Sequence, residues 1–390
     1  MKEDEFMSKK ISIIIASIIL SLCIGSIYSW SIFIQPIYEI TNFSIQAIQV
    51  VFCLTIFTLG TTTSFGGNYI MSIKPYKSAI IGSILFMFGM IGTGLILNLS
   101  NINIFMLYII YGILLGIGVG IIYLIPIPLL LQEFPNNKAL GSSISILSFG
   151  LGSAIFVPFV NLFSNIINAF IIIGFIYGIL MLAASLLLKP FVYINEIKNN
   201  DDHSLTKEQA LKTKEFYYIF IMIFINIFIG ISLISIAAPL GNELLLNTAI
   251  LVSFIGIANG LGRPFFANLA DKLGYINIYK ILFSIQLICI TLCIININSF
   301  LTVSSLLIIA SCYGAGFACL PALTAYIFGE MHAGSIFGAI LFAWALAGLL
   351  GPFIIIILYN YTNSYLISLV LIASLYFIGL YCSTKIKRLV

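Results

Sequence analysis

Long apolar stretches alternate with short polar breaks along this chain, and the stretches have the length of helices rather than strands. Taking Gly/Pro punctuation and polar clusters as boundaries predicts helices near 11–38, 45–70, 77–99, 103–132, 138–163, 166–188, 215–240, 244–270, 277–297, 299–328, 332–358 and 361–384. Crossing ~30 Å of hydrocarbon takes about 20 apolar residues, and each stretch is of that order. The first, from Ile11 to about Pro36, exceeds a signal-peptide core and reads as a retained helix. One long polar segment, from about Lys189 to Glu215, falls after the sixth stretch. The expected organisation is an N-terminal bundle over 1–190, a linker over 191–214 and a C-terminal bundle over 215–390. The linker reads as a solvated connection, although Ser204–Lys214 (SLTKEQALKTK) also suits a short surface helix with Ser204 or Thr206 as N-cap.

Composition changes the solvent. Hydrophobic residues make up 61% of the 390 and charged residues 8%, more apolar surface than a soluble core of this size can hide. The chain is therefore expected to be an all-α integral membrane protein of twelve helices in two pseudo-symmetric six-helix bundles. Alternating the sides puts sixteen of the seventeen Lys and Arg residues on one side, while the other receives acids such as Glu39 and Glu243. The positive-inside rule then makes both termini and the linker cytoplasmic. A cell membrane is the default expectation and an organelle membrane the alternative. The net charge of +4 comes from dispersed anchoring residues and gives no nucleic-acid face.

All seven cysteines lie within apolar stretches, and Cys289 and Cys293 share a helix face with no His or carboxylate nearby. They read as small buried hydrophobes, with neither a disulfide framework nor a metal site. The Ile runs and the scattered Asn, Lys and Tyr read as compositional drift. The halves echo one another: Tyr111-Gly112 returns as Tyr313-Gly314, and Gly141 as Gly338. Two such repeats joined by a linker have the architecture of a secondary transporter, with its site at midplane between them.

The seventeenth cation is Arg263. It precedes Asp271 by eight residues, which places it about 12 Å into the slab. A lone central Arg costs roughly 2.5–3.5 kcal/mol on insertion scales, so it should face a polar cavity or a partner. Asn259, one turn earlier, is in reach of the guanidinium, and no stretch carries a carboxylate at that depth. An unpaired guanidinium suits a carboxylate ligand, gripped by two parallel hydrogen bonds. The alternative is a brace that bonds backbone carbonyls. Tyr28 and Trp30 are two residues apart, roughly 200° around a helix, so both cannot face one cavity. Tyr28 is assigned to the site and Trp30 to packing.

Four blocks carry a resemblance: GSIYSWSIFIQP from Gly25 to Pro36; GIGVGIIYLIPIPLLLQEFPNNKALGSSISILSFGLGSA from Gly116 to Ala154; NGLGRPFFANLADKLG from Asn259 to Gly274; and YGAGFACLPAL with FGAILFAWALAGLLGP in the tenth and eleventh stretches. Together they resemble the major facilitator superfamily and, within it, the oxalate–formate antiporter family, similar also to monocarboxylate transporters. The resemblance implies that Arg263 is the substrate arginine and that Tyr123, Phe149, Tyr313 and Trp344 line the cavity. It places Trp344 where oxalate carriers have a lysine, which implies a monoanion such as formate, acetate, lactate or pyruvate rather than a dianion. It further implies a gating loop at Asp271, Lys272 and Gly274, with Met71 replacing the acid of the matching loop. Glu133 and Glu330, at the cytoplasmic helix ends, are candidates for charge pairs. By their own chemistry, the glycines at 112, 116, 118 and 120 permit close helix packing. Pro126 and Pro128 weaken the helix before Phe134-Pro135 ends it.

The expected function is alternating-access transport of a small organic anion, by exchange or linked to protons, with no cofactor and as a monomer among membrane lipids. The alternatives are an oxalate–formate type dicarboxylate exchanger and a transporter-like nutrient sensor, the latter disfavoured by the short linker and tails. No Ser/His/Asp set, metal cluster, nucleotide loop or paired carboxylates points to an enzyme. Bulky-cation efflux would need a buried charge of the opposite sign.

Overall fold

The computed structural model describes residues 2–134, 138–191, 204–243, 247–295 and 298–390. Within these, the long helices follow one another as α1 (Lys10–Thr41), α2 (Ile45–Ser72), α3 (Pro75–Leu97), α4 (Ile104–Glu133), α5 (Lys138–Val160), α6 (Ile166–Leu187), α7 (Lys214–Glu243), α8 (Thr248–Leu273), α9 (Tyr275–Ile295), α10 (Ser299–Phe328), α11 (Ala333–Thr362) and α12 (Leu366–Lys385). Among the described residues, eleven helices are long and apolar enough to cross a membrane, and α5 contributes a shorter apolar run, Ile144–Val160. The all-helical membrane architecture expected from the apolar pattern is present.

Helix contacts repeat between the halves. In the first, α1 packs on α5, α2 on α4, and α3 on α6; in the second, α7 packs on α11, α8 on α10, and α9 on α12. Of the contacts that join the halves, the most extensive are α2 with α11 and α5 with α8, which are related by the same exchange. Glycine makes these joints close. A Cβ on Gly150 would lie 2.6 Å from the Gly260 Cα, and one on Gly60 2.7 Å from the Ala345 Cα. In α4, Gly112, Gly116 and Gly120 lie against Leu54, Thr58 and Thr62 of α2, while Gly118 lies against Gly82 and Leu85 of α3. Small residues thus bring backbones together where hydrocarbon offers no hydrophobic drive.

Asparagine has a role here that the reading of compositional drift missed. Ser44, Asn103, Asn165, Asn247 and Asn298 each cap the helix that follows, their side chains accepting from the backbone N–H of Ala47, Phe105, Ile167, Ile250 and Leu301. All five caps lie at the chain reversals on the side that carries no Lys or Arg. Asn42 and Asn363 end α1 and α11 in the left-handed region, at φ 56° and 49°. Short polar side chains satisfy orphan backbone groups and tolerate positive φ without bringing charge.

Helices α1 and α4 depart from regularity. The middle of α1, Ser26–Phe33, tightens into a 3₁₀ helix. In α4, Tyr108–Leu115 widens into a π segment, and the α-helix breaks at Leu124 and Ile125 before resuming at Pro126. Pro126 sits at the start of the new segment, where its missing N–H costs nothing. The linker is also more structured than a solvated connection. Thr206 forms a capping box with Gln209 at the head of the short helix Lys207–Ala210. Leu205 N–H donates to the Phe328 carbonyl at 2.9 Å, tying this segment to the end of α10. Linker residues 192–203 lie outside the described residues.

Candidate functional site

Arg263 projects from α8 at a stretch stripped of side chains. Gly260 and Gly262 precede it, and Gly314 of α10 leaves room for its stem. Its residual exposure is 1%. Nη2 donates to Asn259 Oδ1 at 3.1 Å, and Asn259 Nδ2 donates in turn to the Ala310 carbonyl at 3.3 Å. Nε and Nη1 have no hydrogen-bond partner among the described residues, so no carboxylate reaches them. The anticipated bond to Asn259 is present, and the alternative of a brace on backbone carbonyls is not.

Aromatic rings enclose the guanidinium. Its central carbon lies 5.6 Å from the Phe149 ring centroid and 5.9 Å from that of Phe317, within cation–π range. Tyr28 meets Phe149 edge-on at 5.2 Å, Tyr123 meets Phe149 at 5.4 Å and Trp344 at 5.0 Å, and Phe317 meets Trp344 at 4.7 Å. The Tyr28 and Tyr313 hydroxyls hydrogen-bond at 2.8 Å, linking α1 of one half to α10 of the other. All these side chains are buried. The seven residues predicted for the site (Arg263, Tyr28, Tyr123, Phe149, Asn259, Tyr313 and Trp344) therefore come from α1, α4, α5, α8, α10 and α11 to one place.

The 3₁₀ segment of α1 separates Tyr28 from Trp30. Trp30 turns away and packs on Tyr111 at 4.5 Å and Phe33 at 6.2 Å, as its assignment to packing requires. Phe317 was not anticipated; it stands four residues after Tyr313, the spacing that puts two side chains on one helix face. Of the expected polar cavity or partner, the partner is present in Asn259, and the remaining surroundings are aromatic. The guanidinium sits in a closed aromatic box, because the rings fill the space between the halves. Beside the box runs a narrow crevice whose walls include Tyr28, Ser153, Val252, Gly256 and Asn259.

The expected gate residues are less connected. Asp271 accepts from the Tyr275 hydroxyl at 2.8 Å across the α8–α9 turn, where Gly274 takes φ +90°. That bond stays within the turn and does not reach the other half. Glu133 is half-buried and Glu330 exposed, and neither forms an ion pair among the described residues. Across the α2–α3 turn the buried Ser78 hydroxyl donates to the Ile70 carbonyl at 3.2 Å. A neutral bond thus ties the two helices. The seven cysteines are buried and free, and no metal-holding cluster occurs among the described residues.

Chemically, the box offers one fixed positive charge with two unused donors and a hydroxyl pair, in surroundings that exclude water. That arrangement can receive a small planar anion.

The sequence is 24% identical to the oxalate:formate antiporter of Oxalobacter formigenes over 347 residues, 85% of this chain and 80% of that protein. It is also 24% identical, over 238 residues, to the uncharacterized MFS-type transporter YhjX of Escherichia coli (strain K12), covering 59% of this chain and 58% of the relative. Residues 14–352 match the family profile described as Major Facilitator Superfamily. With that match spanning most of its length, and a helical membrane fold to agree with it, the chain belongs to the Major Facilitator Superfamily.

Proposed function

We propose that this protein carries a small monocarboxylate, such as formate, acetate, lactate or pyruvate, across a membrane by alternating access. The observation that carries the reading is Arg263, a buried guanidinium whose Nε and Nη1 lack partners. Burying an unsatisfied donor costs about 1–3 kcal/mol, more for a charged group. The two ring contacts return about 0.5–1 kcal/mol each, up to about 2 when desolvated. A carboxylate that accepts from the free donors removes the deficit and neutralises the charge. One cation walled by Phe149, Phe317 and Trp344 suits a monoanion with a small apolar end, whereas a dianion would leave one charge unmatched among rings.

In this reading two bundles, over 1–190 and 215–390, rock about the glycine joints at α2–α11 and α5–α8 while the linker over 191–214 stays on the cytoplasmic side with both termini. The protein acts as a monomer in the cell membrane, as a carrier rather than an enzyme, and without a cofactor. With no acid beside Arg263 among the described residues to relay protons, it works by exchange, or a proton travels with the substrate. A second reading, oxalate–formate exchange, is favoured by the name of the Oxalobacter formigenes relative. Uptake of labelled formate, lactate, pyruvate and oxalate into proteoliposomes separates the two. Saturable monocarboxylate uptake supports the first, oxalate uptake exchanged against formate supports the second, and uptake of none by folded protein rejects both.

A further inference from the structure

The box depends on where α10 holds Tyr313 and Phe317, and that stretch of α10 is weak by its own composition. It reads Tyr313-Gly314-Ala315-Gly316-Phe317, and Pro321 follows. Each glycine costs roughly 1 kcal/mol relative to alanine inside a helix, and Pro321 has no N–H to offer the Phe317 carbonyl. Yet three carbonyls along this stretch each accept a second, side-chain donor from a different helix. Asn259 of α8 donates to Ala310 at 3.3 Å, Asn226 of α7 to Tyr313 at 3.2 Å, and Tyr279 of α9 to Gly316 at 2.6 Å. Behind Asn226 stands Gln286 of α9, whose Nε2 donates to Asn226 Oδ1 at 3.2 Å. Asn226, Tyr279 and Gln286 are each 2% exposed or less.

The glycines make these bonds attainable. Gly316 lies directly against the Asn226 amide, and Gly230 of α7 lies flat on the Tyr313 ring. A side chain at either position would push α10 off α7. Buried amides are costly in a membrane unless paired. Asn226 is paired on both sides, while Gln286 keeps Oε1 without a partner. A membrane segment carrying an incompletely satisfied amide to hold one carbonyl is hard to account for by packing alone.

We propose that Asn226, oriented by Gln286, is a positioning residue: together with Tyr279 it clamps α10 so that the Tyr313 hydroxyl meets Tyr28 and Phe317 lies over the guanidinium. The clamp rests on the anion-site reading above for its effect on transport, but its geometric effect is independent of any substrate. The test replaces Asn226 by the similarly sized apolar Leu, and separately makes the milder change Gln286→Met, which leaves the Asn226 bond to α10 in place. Both are made in a Trp30→Phe background, so that Trp344, 4.7 Å from Phe317, is the only tryptophan.

Two readouts are taken on monodisperse protein. The first is Trp344 emission without any added anion, which shifts in Asn226→Leu if the clamp sets the box and shifts less in Gln286→Met. The second is uptake of whichever of formate, lactate, pyruvate or oxalate the parent carries. The KM rises about tenfold for Asn226→Leu, the scale of one lost hydrogen bond, with Vmax per folded molecule changing less. Combining Asn226→Leu with Tyr313→Phe raises KM by less than the product of the two single effects, since part of the clamp's action runs through the Tyr313 hydroxyl. Unchanged Trp344 emission in folded Asn226→Leu overturns the clamp whatever the substrate proves to be. Unchanged KM, or effects of Asn226→Leu and Tyr313→Phe that multiply in full, overturns its action on the site. If the Asn226 variant does not fold, Gln286→Met carries the same two readouts, and no change in either rejects the proposal.

Discussion

Arg263→Met separates a functional guanidinium from a structural one, because the two predict opposite results for stability. A bracing arginine would leave two or more buried backbone carbonyls without a donor when removed, at about 1–3 kcal/mol each. Here the substitution removes one bond to Asn259 at 3.1 Å and two ring contacts at 5.6 and 5.9 Å. A hydrogen bond to a charged group contributes about 1.5–3 kcal/mol, and the ring contacts about 0.5–1 kcal/mol each. Against that loss, the substitution relieves two orphaned charged donors at about 1–3 kcal/mol each. The terms nearly cancel, so the variant should unfold within about 2 kcal/mol of the parent. Binding moves the other way. A carboxylate at a hundred times its Kd stabilises the parent by about 2.7 kcal/mol and the variant not at all. Thermal unfolding in detergent, with and without lactate or formate, reads both quantities, and uptake into proteoliposomes reads transport. A variant destabilised by clearly more than about 2 kcal/mol, or that the anion stabilises as much as the parent, refutes the assignment.

Other substitutions probe the parts around that charge. Gly150→Val forces a side chain into the Gly260 backbone, where a Cβ already falls 2.6 Å from Cα; uptake should fall more than tenfold while size-exclusion behaviour is kept, since each bundle packs on itself. Tyr28→Phe deletes the hydroxyl bond to Tyr313 between the halves, worth about 0.5–1.5 kcal/mol, and should raise KM several-fold in the uptake assay. Trp30→Phe, by contrast, touches only the packing against Phe33 and Tyr111 and should leave KM within twofold while lowering the unfolding midpoint. Thr206→Ala removes the capping box of the linker helix, about 1 kcal/mol, and should speed limited proteolysis there without altering uptake.

Hydrophobic period and charge exclusion made the helices legible, and the position of Arg263 eight residues before Asp271 marked it as a cation well inside α8, where it is buried. Motif resemblance pointed to Tyr123, Phe149, Tyr313 and Trp344, and the two-residue offset from Trp30 to Tyr28, which keeps both from facing one cavity, led to Tyr28. Phe317 escaped because a phenylalanine in an apolar helix carries no local mark of facing a partner rather than lipid. The closed box escaped for a related reason. Burial of Arg263 implied a polar surrounding, but rings can enclose a guanidinium as well as water can, and sequence spacing does not show whether the halves touch. The tightened turn in α1 depends on how Ser26–Phe33 is packed between neighbours, which no propensity of those residues encodes. Asn226 and Gln286 gave no signal, since their significance lies in which α10 carbonyl they reach.

The most direct measurement is an experimental structure determined in saturating lactate, with formate and oxalate as companions. A carboxylate is expected within hydrogen-bond distance of Arg263 Nε and Nη1, enclosed by Phe149, Phe317 and Trp344. A guanidinium turned toward lipid or neutralised by an acidic side chain, with the anion bound elsewhere or not at all, would contradict it.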